Sequence, residues 1–210
     1  VALYVSRLPS GAELTPDTIA QMATDLPRAA GLLPPAAQFD AVAYACTSGT
    51  TLIGAERVSE LVRGEVETRH VTNPLTAGIA ALRALDAGSV GIVSPYIPSV
   101  AGPIRDAFEA AGFAVPATLS FGEEVEARVA RIAPESIRAA AVEVARSGVD
   151  AVFLSCTNLR TLDIIAPLEA ELGIPVVSSN LALGWHMAQL APGQIEPVGP
   201  GQLLTLSVAS

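Results

Sequence analysis

The chain predicts an α/β fold with parallel strands, built as two related lobes around one site. Three observations carry that expectation. Short apolar runs alternate with helical patterns of ten to fifteen residues, the signature of βαβ units. One stretch occurs twice: Asp40-Ala-Val-Ala-Tyr-Ala-Cys46-Thr47-Ser-Gly-Thr50 matches Asp150-Ala-Val-Phe-Leu-Ser-Cys156-Thr157-Asn-Leu-Arg160, its cysteines 110 residues apart (156 − 46). Finally, half of the residues are hydrophobic but only 4% are aromatic. The core is left to Ala, Val, Leu and Ile, which suit helices packed on a parallel sheet.

Taken in order, strand-like runs fall at 1–5, 41–45, 89–93, 150–154 and 175–178, with weaker ones near 68–72 and 114–119. The run Val1–Val5 begins without a lead-in, so an earlier segment is expected to be missing. Thr15-Pro16-Asp17 offers an N-cap, a proline at the first helical position and a first-turn acid; helix is expected to Ala30, before Leu33-Pro-Pro35. Helices are expected over 52–64, 74–86, 99–111, 134–147, 160–172 and 180–191, several ending at glycine. Glu123-Glu124 opens a charged helical stretch to Arg131, read as a solvated face or lid. Leu203–Val208 reads as an edge strand or a tail.

A fainter match joins Val71-Thr72-Asn73-Pro74 to Val177-Ser178-Ser179-Asn180, with the asparagines 107 apart (180 − 73). Two βα units sharing small polar turn residues is the plain alternative. Duplication places residues 1–75 plus 178–210 in a first lobe with Cys46, and 76–177 in a second with Cys156.

A chain of 210 residues can bury a sizeable core. Its net charge of −9, without a basic stripe, argues against nucleic acid and membrane surfaces as partners. No apolar run is long enough to span a bilayer, and no signal peptide is expected. Two cysteines in matching motifs do not form a secreted disulfide framework, so a cytoplasmic setting is expected. A homo-oligomer is compatible with the sequence but not specified by it.

Ligands of open α/β sheets bind beyond the carboxyl ends of strands. Cys46, Tyr96, Cys156, Asn180 and the pair Ser6-Arg7 all fall at such ends. A thiol there, opening onto a helix N-terminus, meets backbone N–H groups and a dipole that favour thiolate. One thiolate could abstract a proton or attack carbon while the other thiol delivers a proton to the opposite face. The plain alternative is packing, since cysteine is often just buried. Thr47, Ser48, Thr157 and Asn158 follow the thiols and could bind a carboxylate, or merely cap helices. Tyr96 could donate its phenol to a carboxylate or a developing oxyanion, or simply be a loop aromatic. Arg7 and Arg160 could neutralise carboxylates, although surface arginines are common. His70 and His186 lack ligand spacing, so no metal is expected, and no glycine-rich nucleotide loop occurs.

These motifs resemble the aspartate/glutamate racemase superfamily, and Ala45-Cys46-Thr-Ser-Gly-Thr50 is similar to its maleate cis–trans isomerase and arylmalonate decarboxylase branch. Val5-Ser-Arg-Leu-Pro-Ser10, Ser120-Phe-Gly-Glu-Glu124, Ala130-Arg-Ile132, Ser155-Cys-Thr-Asn-Leu-Arg-Thr161 and Ser178-Ser-Asn180 with Trp185-His186-Met187 resemble racemase-like proteins found with ectoine-utilisation genes. The resemblance implies two Rossmann-like lobes related by a pseudo-twofold, a cleft between them, no cofactor, and Cys46 with Cys156 as the catalytic pair. The decarboxylases carry glycine at the first cysteine position, so Cys46 favours isomerase or racemase chemistry on a small amino- or dicarboxylate. In the maleate isomerases the first cysteine adds to the double bond and the second protonates; Tyr96 matches their substrate-binding tyrosine. Residues 114–135 lack the asparagine those enzymes carry there, and so does the N-terminal segment. Racemisation is therefore expected first, maleate-type isomerisation second, and decarboxylation or ligand binding without turnover third.

Overall fold

The computed structural model describes residues 1–193 and 198–206. The first helix, α1 (Pro16–Ala30), starts where its cap predicts. The Thr15 hydroxyl accepts the Thr18 N–H at 3.3 Å, and the Thr18 hydroxyl accepts the Thr15 N–H at 3.1 Å. Strand β1 (Phe39–Ala43) leads to α2 (Thr47–Ile53) and α3 (Ala55–Arg63), and β2 (Thr68–Thr72) leads to α4 (Pro74–Ala84). Then follow β3 (Ser89–Ser94), α5 (Pro98–Ala110), β4 (Ala114–Ser120), α6 (Glu126–Val129) and α7 (Pro134–Ala145). The last elements are β5 (Ala151–Leu154), α8 (Leu162–Leu172), β6 (Val176–Ser178), α9 (Ser179–Leu190) and a 3-10 turn at Gln202–Thr205.

All described strand pairs are parallel, in two sheets. One is β1–β2, with Ala43 beside Thr72; the other has the order β4-β3-β5-β6. The central strands of the larger sheet are covered on both faces, and all four residues of β5 are buried. Phe153 on β5 packs on Phe108 of α5 with ring centroids 4.9 Å apart. Burying such a ring contributes roughly 1.5–3 kcal/mol. Gly78 lets α4 come close, since a Cβ there would lie 2.8 Å from the Phe153 ring. A second core, under the small sheet, gathers Met22, Leu26, Tyr44, Val58, Val62 and Val66.

The two lobes exchange helices. Although α4 follows β2 of the small sheet, it packs on β6 of the large one; α9 follows β6 and packs on β1 and β2. The two helices also pack on each other. The strand ends of both sheets are thereby brought to one seam.

Several expectations need correction. Val1–Val5 forms no strand: it has no ladder partner among the described residues, and Val1, Leu3, Tyr4 and Val5 are exposed. The helix expected over 52–64 is two, because Cys46 caps a helix that begins at Thr47 and Gly54, at φ 93°, breaks it. The pairing of Asn73 with Asn180 is out of register. Asn73 is the N-cap of α4, while the N-cap of α9 is Ser178, two residues earlier than Asn180. The stretch 123–131 is helical only as the single turn α6. Of Leu203–Val208, residues up to Leu206 hold the 3-10 turn and its end rather than a strand, and Ser207 and Val208 lie outside the described residues.

Candidate active site

Each cysteine ends a strand, but the local backbones differ. Cys46 is extended, at φ −142°, and caps α2; its sulfur accepts the Gly49 N–H at 3.3 Å and lies 3.7 Å from the Ser48 hydroxyl. Cys156 takes φ 155°, a value that side-chain-bearing residues seldom adopt. Its N–H donates to the Ser179 hydroxyl at 3.1 Å, and its sulfur accepts the Asn158 N–H at 3.3 Å. Both thiols are free.

Three links sew the motifs together across the seam. The Thr157 hydroxyl donates to the Ala45 carbonyl at 3.1 Å. Thr47 and Ser179 share a hydrogen bond of 2.8 Å, and Ser179 holds the Cys156 N–H. The Tyr96 hydroxyl, just past the end of β3, lies against both the Cys156 sulfur and the Ser48 hydroxyl. Tyr96 is 2% exposed and its phenol is held well above its usual range, chiefly by burial.

Burial pushes the Cys156 thiol up to about 12; a Cys46 thiolate or a charged Glu126 would add to that, while Tyr96 and the Asn158 N–H oppose it. Cys156 is therefore a thiol at neutral pH. Cys46 is partly exposed.

Tyr96, Thr47, Ser48, Thr157 and Asn158 thus gather around the thiols, as the motif spacing suggested. Asn180 stands behind the second motif, its amide donating to the Thr157 carbonyl at 2.9 Å. With exposed Arg160 and buried Trp185 it lines a surface cavity of about 620 Å³ that neither cysteine touches. Arg7 is exposed and makes no ion pair or side-chain hydrogen bond among the described residues. His186 accepts or donates at 2.7 Å to Thr72, joining α9 to β2, and burial lowers its pKa. Its role is packing.

Three residues escaped sequence reasoning. Tyr44 lies two residues before Cys46, where the strand period puts both on one face. A Cβ on Gly49 would collide with the Tyr44 hydroxyl and sit 3.0 Å from the Cys46 sulfur, so this glycine is required by the close approach. The Tyr44 hydroxyl donates to the Met22 sulfur at 3.1 Å. Ser179 was visible as a turn serine, but its reach to Cys156 was not. Glu126 gave no signal, because a one-turn helix has no readable period.

A two-lobed α/β fold with a pair of thiols at the seam defines the class. Residues 17–204 match the family Amdase, arylmalonate decarboxylase, and the chain belongs to that family. The maleate isomerase of Nocardia farcinica is 29% identical over 173 residues, spanning 79% of this chain and 69% of its own. The crystal structure of the maleate isomerase Iso from Pseudomonas putida S16 superposes with a TM-score of 0.82 at 25% identity, covering 92% of this chain and 81% of that one. In fold the chain is also like a cysteine-to-serine mutant of the Nocardia farcinica maleate cis–trans isomerase with a covalently bound succinylcysteine intermediate. The TM-score is 0.83 at 24% identity, over 97% of this chain and 85% of the other. The relatives are enzymes that isomerise or decarboxylate, and this chain is an enzyme of their family. No described helix is long and apolar enough to cross a membrane.

Proposed function

We propose that this enzyme is a cofactor-independent isomerase that uses Cys46 and Cys156 on opposite faces of a small carboxylate, with racemisation of an amino-acid-like substrate as its first reading. The supporting observation is that two inequivalent thiols share one seam, one buried and protonated, the other partly exposed. The Cys46 thiolate takes the α-proton, and the electron pair of the C–H bond moves into the carboxylate to give an enediolate. Cys156 donates its S–H proton to the opposite face and is left as a thiolate, which the Tyr96 hydroxyl and the Asn158 N–H stabilise. The opposite stereoisomer reverses the roles. The backbone around Thr47, Ser48, Thr157 and Asn158 is the proposed carboxylate cradle. The lobes divide at 75/76 and 177/178, a division supported by the exchange of α4 and α9. The inferred setting is cytoplasmic catabolism of ectoine-type compounds.

The maleate isomerase relatives favour a second reading, cis–trans isomerisation. There Cys46 forms a C–S bond to the alkene and Cys156 protonates the adjacent carbon. Rotation about the new single bond and loss of the same groups then give the trans product. Decarboxylation ranks third, because Cys46 occupies a position where that chemistry needs no thiol.

The test is NMR in deuterated buffer over aspartate, diaminobutyrate derivatives, maleate and methylmalonate. Deuterium at one α-carbon, with inversion lost in Cys46→Ala and Cys156→Ala, is the expected result. Fumarate formed from maleate would move the assignment to the second reading. Inversion of one stereoisomer into the other that survives in either variant would sink the two-thiol mechanism.

A further inference from the structure

We propose that Glu126 is a specificity-determining residue that makes this site select a carboxylate bearing an ammonium group, an amino acid, over its deamino counterpart. This rests on the two-thiol reading of the same site and names its substrate class.

Glu126 opens α6 at the rim of the Cys156 turn and is half-buried. Its Oε1 accepts the Asn158 side-chain amide at 2.7 Å, and the backbone N–H of that same Asn158 donates to the Cys156 sulfur. The carboxylate is therefore one residue from the reacting thiol, close enough for its charge to act on it. It has no cation of its own. All twelve cationic side chains besides the histidines are arginines, and none of the ion pairs among the described residues includes Glu126. The nearest arginine in sequence, Arg128, pairs with Glu123 instead, at 3.8 Å.

A second buried carboxylate shows what complete structural use looks like. Glu169 accepts the Val176 N–H on Oε1 at 2.9 Å and the Gln202 N–H on Oε2 at 2.8 Å, so both oxygens are committed to holding the fold. At Glu126 only Oε1 has a side-chain partner, and Oε2 has none among the described residues. A partly desolvated carboxylate without a cation is costly. A substrate ammonium supplies the missing partner and leaves the substrate carboxylate to the backbone cradle. Burial also holds the Glu126 carboxyl above its usual range, and a bound ammonium reverses that shift.

The test is calorimetric binding to the intact protein of three matched pairs: aspartate and succinate, glutamate and glutarate, alanine and propionate, with both enantiomers of each amino acid. At least one amino acid is expected to bind tenfold or more tightly than its partner. Glu126→Gln, which keeps an acceptor for Asn158, should cut that preference at least tenfold while leaving the deamino ligand's affinity within about twofold. Equal binding within every pair, or a preference unchanged in Glu126→Gln, would overturn the proposal and leave Glu126 as a support for Asn158. Inversion in the cysteine variants is read separately. If inversion survives in them but the ammonium preference holds, the two-thiol mechanism fails and the recognition role stands. If inversion depends on both cysteines but the preference is absent, only the role of Glu126 fails.

Discussion

Cys46 and Cys156 end equivalent strands of a duplicated unit, yet the two halves treat their thiols differently. The first closes a strand of a two-stranded sheet whose residues are only partly buried, and it stays partly open to solvent. The second closes a wholly buried strand in a four-stranded sheet and is sealed under Tyr96. Duplication sets the position of a thiol, and the depth of the sheet beneath it sets its protonation. In the proposed mechanism the deeper half supplies the acid and the shallower half the base or nucleophile.

The largest expected effect comes from removing either thiol. Cys46→Ala and Cys156→Ala should each lower turnover by more than about 10³-fold with unchanged circular dichroism. A variant that lost activity only by unfolding would break the comparison.

The difference in burial should then appear in stability. A free thiol titrates near 8.5, and Cys156 is raised to about 12 in the folded protein. Between those values the folded state holds a proton that the unfolded state has lost. The extra stability is complete below about pH 8.5 and fades as pH rises through 12, on the order of 5 kcal/mol in all. Denaturant unfolding at stepped pH should show that slope in the wild type and a shallower one in Cys156→Ser; the same slope in both would contradict the assignment.

Each thiol also has a phenol nearby, and these should differ in weight. Tyr96→Phe removes a hydroxyl touching Cys156 and Ser48 and should lower kcat about 10²-fold. Tyr44→Phe, whose hydroxyl already donates to Met22, should cost tenfold or less. Steady-state kinetics on both would sharpen the ranking, and a larger loss in Tyr44→Phe would invert it. Gly49→Ala is read in stability rather than in rate, because the new methyl presses on Tyr44 and Cys46. Such overpacking costs about 1–3 kcal/mol, read as a lower denaturation midpoint.

Much of the fold was legible. Six of the seven strand-like runs are strands, and the expected helices are present apart from 52–64, which is split, and 123–131, which is a single turn, because apolar periodicity and glycine stops act locally. Val1–Val5 misled for the opposite reason: its composition suits a strand, but a strand needs a ladder, and none of the described residues supplies one. The order β4-β3-β5-β6 was not written in any local pattern. In the site, the cysteines and their following Thr residues stood out because they repeat. Ser179 and Glu126 did not, since each reaches its partner over 23 and 32 residues of chain respectively.

By itself the sequence determined that two matched strand ends carry the only two thiols, and that helices alternate with strands around them. Those properties follow from side-chain type and spacing, which act within a few residues. Tertiary structure decided how the thiols differ and what surrounds them. Burial under Tyr96, the link from Thr47 through Ser179 to the Cys156 N–H, and the approach of Glu126 all depend on α4 and α9 crossing between lobes or on loops meeting from distant parts of the chain. A thiol's protonation answers to the atoms packed around it, and those atoms come from the whole fold.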